Sequence, residues 1–260
     1  MTETGYEIIE AGKPKAPPRS LILIKKHNRI ASAKAFGPEY FSNNAKEMQK
    51  LYSHPETGEE ITFRAPTTRE SILVASCDFA NRAKPQIFDP RWLQAGWIVR
   101  TNEGVFANPP KDEQGDPITN EAILKQYLNG ISPIKTGKGQ VYLVENSENL
   151  RDFGFADYAS FERGVQEQDV FLEGGLARIL EHAPKTKILK LIACKTNYPR
   201  GVNVYAFEPT KESILKVAGL DSDRGAGSGR LDVVGDYWYD VDGGCAFGVL
   251  DDREAAAQKN

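Results

Sequence analysis

The sequence predicts an α+β fold of two related lobes, produced by internal duplication and packed as one compact body. Three observations predict it. The stretch Pro66-Thr67-Thr68-Arg69-Glu70-Ser71-Ile72-Leu73-Val74-Ala75 returns as Pro209-Thr210-Lys211-Glu212-Ser213-Ile214-Leu215-Lys216-Val217-Ala218, with one threonine fewer and one lysine more. Each copy follows an apolar run ending in phenylalanine, Ile61 to Phe63 and Val204 to Phe207, the pattern of a strand feeding a helix. Each precedes a tryptophan-led hairpin pattern, Trp97 to Ala107 and Trp238 to Phe247. A duplicated unit of this kind buries its sheets or helices against its own copy about a pseudo-twofold axis. The expected organisation is a basic, proline-bearing flexible arm at 1–19, a first lobe at 20–108, a linker with a short helix at 109–139, a second lobe at 140–251 and a disordered tail at 252–260. The rival architecture is one continuous α+β domain with coincidental echoes.

Taken in order, the arm through Lys13-Pro14-Lys15-Ala16-Pro17-Pro18 cannot continue a helix and reads as extended. Leu21 to Ile24 is a short apolar run, the pattern of a strand buried on both faces. Phe41, Ala45, Met48 and Tyr52 fall on one face of a helix near Tyr40 to Tyr52. His54-Pro55-Glu56-Thr57-Gly58 then turns the chain into the strand Ile61 to Phe63. Thr67 with Glu70 three residues on is a capping box, hydroxyl to the N3 amide and carboxylate back to the cap amide. The helix it starts ends before Pro85, and Arg100 to Gly104 is the turn of the hairpin that follows. A short helix capped near Thr119 or Asn120 closes at Gly130.

Val141 to Val144 then stands where Leu21 to Ile24 stood, and Phe155 to Tyr158 resembles Phe36 to Tyr40. The second half is longer, carrying a helix with Leu172, Leu176, Ile179, Leu180 and Ala183 on one stripe and an expected strand from Ile188 to Cys194. Val202 to Phe207 and the second Thr-x-Glu-Ser-Ile-Leu helix start follow.

Composition bounds the function classes. With 260 residues, 40% hydrophobic and 27% charged, the chain lies in the ordinary globular range and is long enough to bury a core. A net charge of -3 argues against a globally basic nucleic-acid binder. Residues 1–34 nevertheless hold seven basic side chains against three carboxylates, and from Glu208 onward eleven carboxylates face six basic groups. Cys77, Cys194 and Cys245 are far apart and in no metal or redox spacing, as expected of reduced thiols in the cytoplasm. No apolar stretch reaches membrane-spanning length, so no membrane association is expected.

No stretch carries a specific catalytic or cofactor signature. Thr67, Glu70, Thr210 and Glu212 are accounted for by helix-start hydrogen bonding, although Glu212 follows Thr210 by only two. Asp221, Asp223 and Asp232 occupy positions 1, 3 and 12 of a Gly-rich twelve-residue stretch, where a hard cation wants several oxygens. The match is partial: Gly225 and Ala226 stand at positions 5 and 6, and Asp232 replaces a bidentate glutamate. Asp240 and Asp242 fall on one side of a strand and extend the candidate metal set, while also flanking an Asp-Gly turn. Lys25, Lys26 and Arg29 form a basic group able to track phosphates, without interleaved aromatics. His54 sits among Glu56, Glu59 and Glu60 in an expected exposed turn, and His182 ends the stripe helix, where an imidazole meets the helix C-terminus favourably. The resulting expectation is a non-enzymatic binding or scaffold protein, using the inter-lobe groove or an unrepeated surface for a partner protein or for self-association, with no cofactor. The alternative is a metal-dependent hydrolase or nuclease built on the C-terminal aspartates and a divalent cation.

Overall fold

A computed structural model describes residues 6–10, 21–26, 29–36, 41–53, 58, 60–81, 93–147, 149–222, 229–236 and 246–250. Its elements are β1 (Tyr6–Glu10), β2 (Leu21–Lys26), β3 (Arg29–Phe36), α1 (Phe41–Met48), β4 (Tyr52–Ser53), β5 (Glu60–Ile61), β6 (Phe63–Arg64), α2 (Thr68–Asn81), β7 (Leu93–Arg100), β8 (Gly104–Ala107) and α3 (Glu121–Gln126). Then come β9 (Ile134–Thr136), β10 (Gly139–Leu143), β11 (Gly154–Asp157), β12 (Gly164–Gln166), α4 (Gln168–Glu173), α5 (Gly175–Glu181), α6 (Ile188–Ile192), β13 (Val202–Tyr205), β14 (Ile214–Ser222), β15 (Leu231–Val234) and β16 (Ala246–Leu250). The class is α+β. Nine strands form one sheet in the order β12-β13-β15-β14-β7-β8-β11-β10-β9, five form another in the order β1-β2-β3-β16-β6, and β4 pairs with β5. The pair β13–β15 is parallel, whereas β14 runs antiparallel to both its neighbours.

The large sheet is buried on two faces, which is why β7 is almost continuously buried instead of alternating with solvent. Ile98 stands opposite Ala107, and Val99 opposite Phe106. Ile98, Val105, Ala107 and Ala156 join the core beneath α2, α4, α5 and α6. Val99, Phe106 and Phe155 join a second core with Leu124 of α3, Val144 and Phe153. Fully buried apolar side chains of this size contribute about 1.5–3 kcal/mol each. A third cluster, Met48, Phe63, Val217 and Ala246 with half-buried Trp97, connects the two large sheets. Among the described residues no helix is long and apolar enough to cross a membrane.

Many expected elements are present. α1 buries Met48 completely but ends there, Tyr52 lying in β4; the expected strand Ile61 to Phe63 is divided between β5, which pairs with β4, and β6, which pairs with β16; β7–β8 is the expected hairpin. Asn120 caps α3, its Oδ1 accepting from the amides of Ala122 and Ile123.

The echo with which the duplication was inferred does not carry a shared structure. Thr68–Asn81 is a helix, but Ile214–Ser222 is a nine-residue strand. With Glu212 one residue too close, the second capping box cannot close. Thr210 instead donates its hydroxyl to the carbonyl of Arg100 (3.1 Å) and its amide to that of Thr101 (3.0 Å), steering the chain onto the edge of β7. Hydrogen bonding also runs across the expected lobe boundary: β7 and β8 share one sheet with β9 to β15. Tyr6–Glu10, expected in an extended arm, is strand β1, paired with β2. Trp238, the start of the second expected hairpin, lies outside the described residues; Phe247, at its end, belongs to β16 and pairs with β3.

The expected strand Ile188 to Cys194 is also corrected, since Ile188–Ile192 is helix α6. The cause lies seven residues upstream. The Glu181 carboxylate, 2% exposed, accepts from the amides of Lys187 (2.7 Å), Ile188 (3.0 Å) and Leu189 (2.9 Å), so the first donors of α6 are satisfied by a buried acceptor. Glu181→Ala leaves the buried Leu189 amide and the half-buried Ile188 amide without this acceptor and is expected to lower unfolding free energy by about 3 kcal/mol. Glu181→Gln, which keeps one carbonyl acceptor, is expected to lose less, as measured by urea unfolding.

Candidate functional site

The start of α2 is held in the interior rather than at the surface. The capping box forms: the Thr67 amide donates to Glu70 Oε2 (2.8 Å) and the Glu70 amide to Thr67 Oγ1 (3.2 Å). Each hydroxyl of this first turn also reaches a remote segment. Thr67 donates to Asp152 Oδ2 (2.6 Å), Thr68 to the carbonyl of Leu180 (2.8 Å) and Ser71 to that of Ala95 (2.5 Å). The Thr68 amide donates to Asn108 Oδ1 (2.8 Å), and Asn108 Nδ2 reaches both Thr68 Oγ1 (3.0 Å) and the carbonyl of Asp152 (2.8 Å).

Three residues of this cluster have left-handed backbone: Asn108 (φ 53°), Asp152 (φ 52°) and His182 (φ 48°). Only one other non-glycine among the described residues does so, Ala206. Such conformations cost of order 1–3 kcal/mol when held by surrounding structure, and they concentrate at functional sites. Asn108 follows β8, Asp152 precedes β11 and His182 caps the end of α5.

Asp152 is the hub. Its side chain is 7% exposed, its Oδ1 accepts from Asn146 Nδ2 (3.2 Å), and its amide donates to Asn146 Oδ1 (2.7 Å). Arg69 Nη1 and His182 Nδ1 stand 3.6 and 3.4 Å from Oδ1. On its other side the His182 ring places Nε2 3.1 Å from the carbonyl oxygen of Phe153. Burial holds this imidazole below its ordinary range, and Asp152 offsets part of that effect.

A cleft of about 590 Å³ opens beside the cluster. Thr67 and Asn108 line it, together with Trp97, Arg64, Lys111 and Arg151. Arg64 is committed to a bidentate pair with Glu70 (2.8 and 2.5 Å). The wall formed by Pro109 to Gly115 is braced internally, as Asp112 Oδ1 accepts from the amides of Gln114 and Asp116, both at 2.9 Å. The lining draws on segments expected as first lobe, linker and second lobe.

Of the aspartates singled out in the sequence, Asp221 and Asp232 are direct partners in the β14–β15 ladder. They are therefore facing positions of a strand pair, not the two ends of an open loop. Asp232 Oδ1 accepts from Asn203 Nδ2 (2.8 Å). Beside them the phenol of Tyr205 is pushed up to about 12, first by burial and then by these two carboxylates. Asp223, Asp240 and Asp242 lie outside the described residues, as does His54. Among the described residues no group of three or more His, Cys, Asp or Glu side chains is placed to hold a metal ion. Lys25 and Lys26 end β2, and Lys26 pairs with Arg29 at the start of β3.

Asp152, Asn108 and Asn146 carry the cluster without having been singled out. The available signal was conformational: Asn and Asp tolerate left-handed backbone, and Asn108 stands between a strand and Pro109-Pro110. Comparison with known protein families, with curated proteins and with solved structures gave no match.

The depressed imidazole makes stability depend on pH. In the unfolded chain His182 takes up a proton near its ordinary value of 6.5, whereas in the fold it stays neutral to lower pH. Its contribution is complete above that value and is lost as pH falls through and below it. Urea unfolding followed from neutral pH downward should show stability declining below about 6.5, with a shallower decline in His182→Gln.

Proposed function

We propose that this is a non-enzymatic binding protein of the cytoplasm whose cleft seats a short segment of a partner protein. The observation that carries the reading is the position of the cleft against a strained polar cluster whose cleft-side groups are hydrogen-bonded within it. Thr67, Asn108 and Asp152 already spend their hydrogen bonds on each other and on backbone, which suits a rigid wall better than reactive groups. The cleft volume matches sites that enclose a few side chains. Its lining carries the flat indole of Trp97, the cationic side chains of Lys111 and Arg151 beside the Glu70-paired Arg64, and the carboxylates of Asp112 and Glu113, a mixture suited to peptide rather than to a uniformly anionic nucleic acid. The widely spaced cysteines support a reducing compartment.

A displayed random-peptide library panned on the purified full chain tests this. Selected peptides are expected to bind in calorimetry and to lose affinity tenfold or more, about 1.4 kcal/mol, with Lys111→Glu, whose exposed side chain can reverse charge without disturbing the core. Peptides binding the variant equally well, or no selectable peptide at all, would sink the reading.

A second reading, a metal-dependent hydrolase or nuclease, is favoured by one observation: the opposed carboxylates of Asp221 and Asp232 beside Tyr205. Like charges directly across a ladder disfavour pairing, and a divalent cation would relieve that repulsion. On this reading calcium, magnesium or manganese raises the unfolding temperature and Asp221→Asn abolishes the rise. An unchanged melting temperature with all three ions counts against it.

A further inference from the structure

The cleft reading leaves the imidazole of His182 without a role, although its side chain is only 9% exposed and its backbone is left-handed. The groups that its ring meets are acceptors, chiefly the Phe153 carbonyl on Nε2 and Asp152 Oδ1 on Nδ1, with the Val144 backbone beside them. A neutral imidazole has one N–H, so it serves one of them and turns a lone pair toward the other. A protonated ring serves both, but it brings a second positive charge beside Arg69, which stands near the same carboxylate oxygen. The charged groups facing the ring are Asp152, from the segment entering β11, and Arg69, from α2; Val144 and Phe153 contribute backbone acceptors. Neither protonation state satisfies every group, so the site has two competing arrangements, of which burial favours the neutral one.

Asp152 passes this competition on. Its Oδ2 holds the Thr67 hydroxyl and its carbonyl holds the Asn108 amide, and both of those residues line the cleft. We propose that His182 is a proton-operated latch on the cleft: proton uptake by the imidazole draws Asp152 Oδ1 away from Arg69 and loosens the wall built by Thr67 and Asn108. The inference rests on the cleft reading only for what is being gated. By linkage, whatever prefers the tight cleft holds the imidazole neutral.

The test uses no ligand, so its failure is distinguishable from failure of the binding reading. Trp97 lines the cleft, and Trp92→Phe with Trp238→Phe leaves it as the single tryptophan of the full chain. From about pH 7.5 to about pH 5, acrylamide quenching of Trp97 is expected to rise along a one-proton curve with a midpoint below 6.5, while far-UV circular dichroism stays constant. The His182 ring resonance should titrate with the same midpoint, and His182→Gln should abolish the transition. In the unsubstituted protein the side-chain amide resonances of Asn108 should move over the same range, which keeps the test intact if a variant folds poorly. Ring titration without change at Trp97 and Asn108, a transition surviving in His182→Gln, or no ring titration before the fold is lost would each overturn the latch.

Discussion

A helix that begins in the interior must find partners there for its first amides and hydroxyls, and the arrangement around α2 answers that requirement. Thr67, Thr68 and Ser71 reach segments 85, 112 and 24 residues away in the chain. The contact with β7 is close enough that a Cβ on Gly96 would stand 2.9 Å from the Thr68 amide nitrogen, so no larger residue fits without moving the helix start. Through this one turn the end of β8, the segment before β11, the end of α5 and the middle of β7 are placed relative to one another. The cleft is a by-product of that placement, opening where the polar cluster meets the braced wall after Asn108.

Local chemistry was legible where it was self-contained. The Thr67–Glu70 box, the Asn120 cap and the β7–β8 turn are each decided within a few residues, and each appears as the sequence implies. Two runs were decided from outside. Glu-Ser-Ile-Leu is helix at 70–73, whereas at 212–215 its last two residues open a strand, because Ile214 and Leu215 find ladder partners in Arg100 and Val99 of β7. Ile188 to Ile192, an apolar run ambiguous in period, becomes helical because a buried carboxylate seven residues before it accepts from its first amides.

The candidate site was less legible for the same reason. His182 reads in the sequence as a helix-ending histidine, which it is, but its meaning depends on Asp152 from another segment. Asp152 itself looks like a solvated aspartate between Arg151 and Phe153. What distinguishes it is a left-handed backbone and a set of donors from α2, the segment before it and α5, none of which leaves a local pattern. The aspartates that do form a sequence pattern are placed by the sheet instead, Asp221 across from Asp232.

The pairing of β7 with β14 also governs the order in which the molecule can be assembled. Arg100 is matched to Ile214 at the centre of the nine-stranded sheet, and Ala35 to Phe247 in the five-stranded one. Both sheets therefore depend on contacts of long sequence separation, the kind that slow folding. During synthesis, β7 and β3 emerge well before the strands that will cover their edges, and for that interval they expose open ladders to other chains. The interval of greatest exposure to misassociation is thus set by translation of the segments that lie between each strand and its late partner, before β14 and β16 arrive to compete for those edges.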